Sequence, residues 1–395
     1  MGRSRVRFGS GAIAVAVSAL SAAGVLTAPP AGAAQSKAPV PGLVAVEGPM
    51  TGTQASTGID MYDGAALAVA QINAAGGVDG VPFKLLKLDD KATAPGGIAA
   101  ERKAVAARAF AVVGPFNSSV GVANLSLYKN AGLPIVRLTS SVKTEGFGAT
   151  TQPMDSQVAP VEIKEITNVL HATRPAIIYD TSTYTAGIAK QVKAGLAKAG
   201  DPAVATVSVT STQTNYTSPL RKVAASHPDL LYIAAYGAEA GGIAKAASSA
   251  GTGKCFVDLA AQGPDFVTAA TQPVASACLS SGVPSAQQFA GAGQYVNTYQ
   301  SLFHMSPGTW GTFTYDSVEI LGAALQNAGW HQKGVSAALL RVRNYQGITG
   351  PISIAPSTGN RVQSTVVILD VNSAGAYVID PQWAAATGFP LPSGG

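Results

Sequence analysis

The chain has 395 residues, room for two domains of ordinary size. A hydrophobic content of 47% excludes an intrinsically disordered protein. Lys plus Arg outnumber Asp plus Glu by 26 to 21, but no basic run or basic stripe beside aromatics is present, which argues against a nucleic-acid partner.

Arg3, Arg5 and Arg7 precede an uncharged run from Ala12 to Leu26, and Ala31-Gly32-Ala33 supplies the small residues that a signal peptidase reads. At fifteen residues the run is short of the roughly 20 that span a bilayer. Residues 1–34 are therefore expected to be a secretory signal peptide and 35–42 a linker, with the mature protein periplasmic or extracellular. Loss of the three arginines leaves 23 basic against 21 acidic residues, a net charge of +2. The only cysteines, Cys255 and Cys278, lie far from the cleavage site, so no lipid-anchoring cysteine is expected. An even pair in an exported chain suggests a disulfide, with two buried free thiols as the alternative. His171, His227, His304 and His331 lack metal-ligand spacing, and no metal site is expected.

Leu43–Glu47 reads as a first strand stopped by Gly48-Pro49. Met61, Ala65, Ala68 and Ile72 then recur at helical spacing until Gly76-Gly77. Phe83–Leu88 is a second strand ending at Asp89-Asp90. Next comes the segment on which the reading turns, Ala111 to Ser141. An apolar strand ends in Gly114-Pro115, a helix begins at Ser118-Ser119, and a second strand, Ile135–Leu138, runs into Thr139-Ser140-Ser141. After Thr151 the pattern restarts, with a helix over Val161–Leu170 and strands at Ala176–Tyr179, Ala203–Val209, Leu230–Tyr236, Cys255–Ala260 and Ala277–Val283. Helices return beyond Pro284, and strand character at Ile352–Ile354 and Val366–Asp370. This alternation predicts an α/β protein of two doubly wound parallel-sheet lobes between which the chain crosses more than once. The expected lobes are 43–158 with 285–350, and 159–284 with 351–382, followed by a tail over 383–395.

In an open parallel sheet the carboxyl ends of neighbouring strands face one crevice. That rule would bring Ser118 and Ser119, at the positive end of a helix dipole, together with the hydroxyls of Thr139, Ser140 and Ser141 on one small ligand. The alternative for Ser118 is a plain helix cap. Tyr184 and Tyr236 follow the first and third strands of the second lobe, where a ring and its hydroxyl can close over an apolar ligand. No Gly-rich phosphate loop, nucleophile elbow or zinc motif is found, so neither a cofactor nor a catalytic centre is expected.

Seven short motifs, in order, give the chain a family likeness: GPMTG at 48–52, AQINAAGG at 70–77, LDD at 88–90, VGPFNSS at 113–119, AGLPIV at 131–136, NYT at 215–217 and FTYD at 313–316. From Leu43 to about Asp380 the sequence resembles the branched-chain amino-acid (leucine/isoleucine/valine) binding proteins, substrate-binding components of ABC importers with the type I periplasmic-binding fold. The resemblance implies two lobes with three hinge crossings and a ligand enclosed between them. It implies Ser118 on the ligand carboxylate, Thr139 and Ser141 on carboxylate and ammonium, Tyr184 and Tyr236 from the second lobe, and a monomer delivering its solute to a permease complex. Two positions depart from the pattern. Thr57 stands where relatives can place an aromatic, and the position of an acid for the ammonium falls on Ala260, with Asp258 or Asp265 as offset candidates and Glu239 a weaker one. Rival readings are a ligand sensor of the same fold, for amides or amino acids, working through a separate receptor, and a secreted hydrolase using Ser118.

Overall fold

The computed structural model describes residues 38–391. The signal peptide expected over 1–34 lies outside them. Five strands, β1 (Leu43–Gly48), β2 (Lys84–Asp89), β3 (Ala111–Val113), β4 (Ile135–Arg137) and β5 (Ala149–Thr150), form a wholly parallel sheet in the order β2-β1-β3-β4-β5. A second sheet contains β6 (Pro175–Asp180), β7 (Ala205–Val209), β8 (Leu230–Ala234), β9 (Lys254–Val257) and β10 (Cys278–Gly282) in the parallel order β7-β6-β8-β9-β10. The two orders are the same when each half is counted from its own first strand, so the fold is duplicated even though no short repeat is visible in the sequence.

Helices cover both faces of each sheet, which is why the strands read as unbroken apolar runs. In β8, Leu230, Tyr232 and Ala234 enter one core while Leu231 and Ile233 enter another. Val44 and Val46 of β1 likewise face away from Ala45.

A small hairpin, β11 (Tyr345–Gly347) and β12 (Gly350–Ile352), precedes β13 (Val367–Val371) and β14 (Tyr377–Ile379). β13 joins the second sheet antiparallel to β10, and β14 pairs antiparallel with β13, so that sheet is mixed rather than all parallel. The short turn at Asn372–Gly375 leaves no room for the crossover helix that a parallel pair needs.

The chain passes between the sheets three times. It leaves the first after β5 and returns after β10, when the helices Gly293–Phe303 and Trp310–Ala328 pack on the helix Ala55–Ala74. Gly64 and Gly311 let two of these helices touch backbone to backbone, since a Cβ on Gly64 would lie 2.1 Å from the Gly311 carbonyl oxygen. The third passage follows Arg361, later than the expected boundary at 351. Gly146 N–H donates to Thr358 C=O and Thr150 N–H to Gly359 C=O, each at 2.8 Å, and these bonds hold residues 358–359 against the edge of the first sheet.

Two further elements differ from expectation. The helix expected from Val161 starts at Asp155, ahead of Pro160. Residues Pro381–Thr387 form a helix where a tail was expected, because Asp380 caps it, accepting from Trp383 N–H at 2.6 Å, and Trp383 is buried. Among the described residues no helix is long and apolar enough to cross a membrane, and no group of three acidic, His or Cys side chains is placed to hold a metal.

Cys255 and Cys278 are directly opposed on β9 and β10, with Cα atoms 4.5 Å apart, and form a disulfide. The bond closes a loop of 23 residues in sequence separation. Chain entropy alone gives such a loop about 3 kcal/mol of stabilisation. Replacing both cysteines by serine should lower the unfolding free energy by about that amount in a urea titration; a change below about 1 kcal/mol would show that the unfolded chain gains little from release.

Candidate functional site

In an order of the type β2-β1-β3 the chain reverses direction across the sheet between β1 and β3, and the crevice opens beyond the carboxyl ends of those strands. The second sheet has the same switch between β6 and β8. The two switch points face each other, and the residues that follow them build one narrow cleft.

From the first switch point come Phe116 and Ser118. Gly114 makes the turn after β3 possible, with φ at +114° and a Cβ position 2.2 Å from the Glu47 carbonyl oxygen, so only glycine fits. Ser118 is the first residue of the helix Ser118–Asn130, whose N-cap, Asn117, supplies no side-chain cap. From the second come Tyr184, in the first turn of the helix Thr183–Ala199, and Tyr236, the N-cap of the helix Gly237–Ala247. Leu138 and Ser140 follow β4, Leu259 and Ala260 follow β9, and Trp310 starts the helix Trp310–Ala328. Asp60 sets that helix end in place by accepting from Gly308 N–H at 2.8 Å and Gly311 N–H at 2.7 Å. Phe116 meets Trp310 and Tyr236 edge-on at 5.1 and 6.4 Å between ring centroids, which makes one wall aromatic across both halves.

Three sequence-predicted residues, Ser118, Tyr184 and Tyr236, line this cleft. Thr139 and Ser141 do not. Side chains alternate along extended backbone, so Ser140 turns toward the cleft and its two neighbours turn away. Thr139 Oγ1 donates to Thr144 Oγ1 at 2.8 Å, while Ser141 Oγ accepts from Lys143 N–H at 3.4 Å. The Ser141 N–H donates to Ser118 Oγ at 3.2 Å and orients it. Ser119 lies outside the lining and joins the halves instead, accepting from Thr183 N–H at 2.9 Å. Asp265 makes a second such link, accepting from Ser56 O–H at 2.5 Å. Thr57, half-buried beside Ser56, does not line the cleft either.

Asp258 is fully buried, with one oxygen taken by Ala260 N–H at 2.9 Å and the other by Tyr184 O–H at 3.2 Å. Its other carboxyl neighbour is Glu162, which accepts from Tyr232 O–H at 2.8 Å and Ser281 O–H at 2.6 Å. Burial, and then the Asp258 charge, push Glu162 well above the usual carboxylate range, so the pair holds one proton and one negative charge. The charge stays behind Tyr184, whose hydroxyl is thereby committed as a donor to Asp258 and offers the cleft an acceptor. Glu239 is half-buried in the first turn of Gly237–Ala247 and outside the lining; burial, with the Asp180 charge adding to it, pushes its carboxyl up to about 8.

Sequence reasoning missed Gln152, on the first passage between the sheets. It is 1% exposed, its Oε1 accepts weakly from Ser140 O–H at 3.4 Å, and its Nε2 has no partner. A buried donor without a partner costs roughly 1–3 kcal/mol, which an accepting ligand atom would restore.

The sequence profile of the periplasmic binding proteins matches residues 43–376. An amino acid binding protein of Pseudomonas aeruginosa is 28% identical over 326 residues, 78% of this chain and 84% of its own. The leucine binding protein LivK of Thermotoga maritima superposes with a TM-score of 0.80 at 20% identity, over 86% of this chain and 97% of that one. A solute binding protein of an ABC transporter from Rhodopseudomonas palustris, solved with 3,4-dihydroxybenzoic acid, superposes with a TM-score of 0.74 at 18% identity, over 85% and 94% of the two chains. With a match over most of its length and these neighbours in fold, the chain belongs to the periplasmic binding protein family, non-enzymatic solute binders of the type I architecture.

Proposed function

We propose that this protein is the exported, monomeric solute-binding component of an ABC importer, and that it holds a small carboxylate-bearing solute between its two halves and presents the closed form to a permease. The observation that carries the reading is the meeting of both switch points in one cleft, with hydroxyls, an amide and the starts of several helices turned inward. Ser118 and the free N–H groups of its helix would take the carboxylate. Tyr236 would engage it from the facing half, the ring of Tyr184 would pack against the rest of the solute, and the contacts Ser119–Thr183 and Ser56–Asp265 would form as the halves close. Binding energy available only in the closed form shifts the population toward it. Relatives in this family are named for amino acids, and one neighbour in fold was solved with an aromatic acid, so a carboxylate is the group these solutes share.

Trp310 lies in the cleft wall and reports occupancy through its fluorescence. Titration with a library of amino acids, carboxylic acids and amides should give a saturable change, a smaller radius of gyration in solution scattering, and a thermal shift. At a solute concentration 100 times Kd the added stability is about 2.7 kcal/mol. Ser118→Ala should weaken the affinity about tenfold, since one hydrogen bond to a charged group is worth about 1.5–3 kcal/mol, and should also lower the unfolding free energy of the unliganded protein by about 1 kcal/mol, because the buried Ser141 N–H loses its acceptor. A library that produces neither closure nor a thermal shift would overturn the transport reading.

A further inference from the structure

All ten side chains lining the cleft are uncharged near neutral pH, five of them apolar and five polar but neutral. Ser118, Tyr184 and Tyr236 stand at the starts of three helices of 11 to 17 residues whose N-cap residues supply no side-chain cap, while the start of a fourth, at Trp310, is already held by the Asp60 carboxylate through Gly311 N–H. These three starts carry partial positive charge and keep unpaired N–H groups, so together they favour an anion and disfavour a cation. Gln152 adds an independent sign of the same preference: a buried side chain whose Nε2 donor is unpaired in the cleft wall. The buried acid that touches a lining residue, Asp258, has both oxygens occupied by Ala260 N–H and Tyr184 O–H. An ammonium group brought here would shed its water with no carboxylate in the wall to replace it.

We propose that the solute is a small apolar carboxylic acid without an ammonium group, and that Gln152 Nε2 donates a hydrogen bond to its carboxylate alongside Ser118. This assignment rests on the solute-binding reading and narrows it to a chemical class. The apolar half of the wall, Phe116, Leu138, Leu259, Ala260 and Trp310, takes the hydrocarbon part.

The test is calorimetric titration of the full chain with matched pairs: 4-methylpentanoate against L-leucine and 3-phenylpropanoate against L-phenylalanine, with benzoate and 4-methylpentanamide completing the set. An acid of the set should bind at least about 100-fold more tightly than its amino-acid partner or the amide, a difference of about 2.7 kcal/mol. Gln152→Leu should weaken the acids about tenfold, and Gln152→Glu should weaken them at least about 100-fold while changing the affinity for the neutral amide far less. Melting curves of the two variants establish that they fold, and the comparison of acid with amino acid in the unaltered protein decides the class whatever the variants do. Amino acids that bind as tightly as their acids would overturn this inference and leave the solute-binding reading standing. Acids that bind equally well to Gln152→Leu would overturn the role of Gln152. Silence from every member of the set would overturn both the inference and the reading beneath it.

Discussion

Replacing Arg361 with methionine should cost this protein about 3–5 kcal/mol of unfolding free energy, the range found when one member of a buried charged network is removed. Arg361 is 3% exposed, and its guanidinium donates to four acceptors: Thr151 C=O at 3.1 Å, Thr349 Oγ1 at 2.8 Å, Thr349 C=O at 2.9 Å and Pro351 C=O at 3.0 Å. Burial lowers its pKa, and the charge of Asp316 opposes that change. Asp316 is itself fully buried, accepting from Ile348 N–H and from the Thr349 N–H and hydroxyl. Methionine fills much of the same volume but leaves these carbonyls unpaired and Asp316 without its counter-charge. Location makes the effect more than local. Thr151 opens the first passage between the sheets and Arg361 opens the third, while Gln157 Nε2 donates to Arg361 C=O and Val362 C=O at 3.2 and 3.3 Å. The residue therefore ties two hinge strands together, and its loss should broaden the distribution of lobe angles seen by scattering as well as lower stability. Arg361→Lys, which keeps the charge but not the fork of donors, should fall between the two. An unfolding free energy for Arg361→Met within about 1 kcal/mol of the parent's in urea titrations would mean that water replaces the network at little cost.

The alternation of apolar runs with helical spacing was legible in the sequence because each sheet is buried on both faces, a condition that writes itself into composition. The strand ends were legible too, and with them Ser118, Tyr184 and Tyr236, since a switch-point crevice follows from the order of elements. Ser140 was obscured by parity: in Thr139-Ser140-Ser141 nothing local says which hydroxyl points toward the crevice, and that depends on where β4 ends, at Arg137. Gln152 sits on a passage between sheets, with neither helical nor strand periodicity to give it a direction. Trp310 is brought to the cleft by a chain that has left and returned, and Asp60 fixes it from about 250 residues earlier in sequence. The position counted for an acid, Ala260, does line the cleft, and the two aspartates offered in its place are held elsewhere, Asp258 behind Tyr184 and Asp265 at the contact with Ser56.

Raising the pH from 5 to 8 should weaken the fold through a pair of acids in the first half, and Asp90→Asn should remove most of the loss. Asp90 is fully buried at the end of β2. One oxygen accepts from Ala92 N–H at 2.8 Å, and the other has no partner. Burial, only partly offset by that hydrogen bond and reinforced by the Asp89 charge, pushes its carboxyl up to about 7. Glu47, fully buried nearby, accepts from Asn124 Nδ2 and Tyr128 O–H, both at 2.7 Å; burial and then the Asp90 charge hold it well above the usual range. A carboxyl with a raised folded-state pKa binds more protons folded than unfolded, so its contribution is fully present below the unfolded value near 4 and disappears as pH climbs through the folded value near 7. For Asp90 the full shift corresponds to roughly 4 kcal/mol, of which roughly 3 kcal/mol falls between pH 5 and 8. Asp89, its neighbour, has the opposite sign: slight burial raises it, but bonds from Thr51 O–H and from the Lys91 and Met50 N–H groups outweigh this and hold it below its ordinary range, so its contribution is lost as pH falls. Adjacent strand-end carboxylates thus point to opposite environments and titrate in opposite senses. Asp90→Asn keeps the acceptor for Ala92 and removes the buried charge, so it should change stability little at pH 5 and increase it by about 2 kcal/mol or more at pH 8. Urea titrations of parent and variant at the two pH values measure this directly, and a variant whose stability tracks the parent's at both would place the pH sensitivity in other groups.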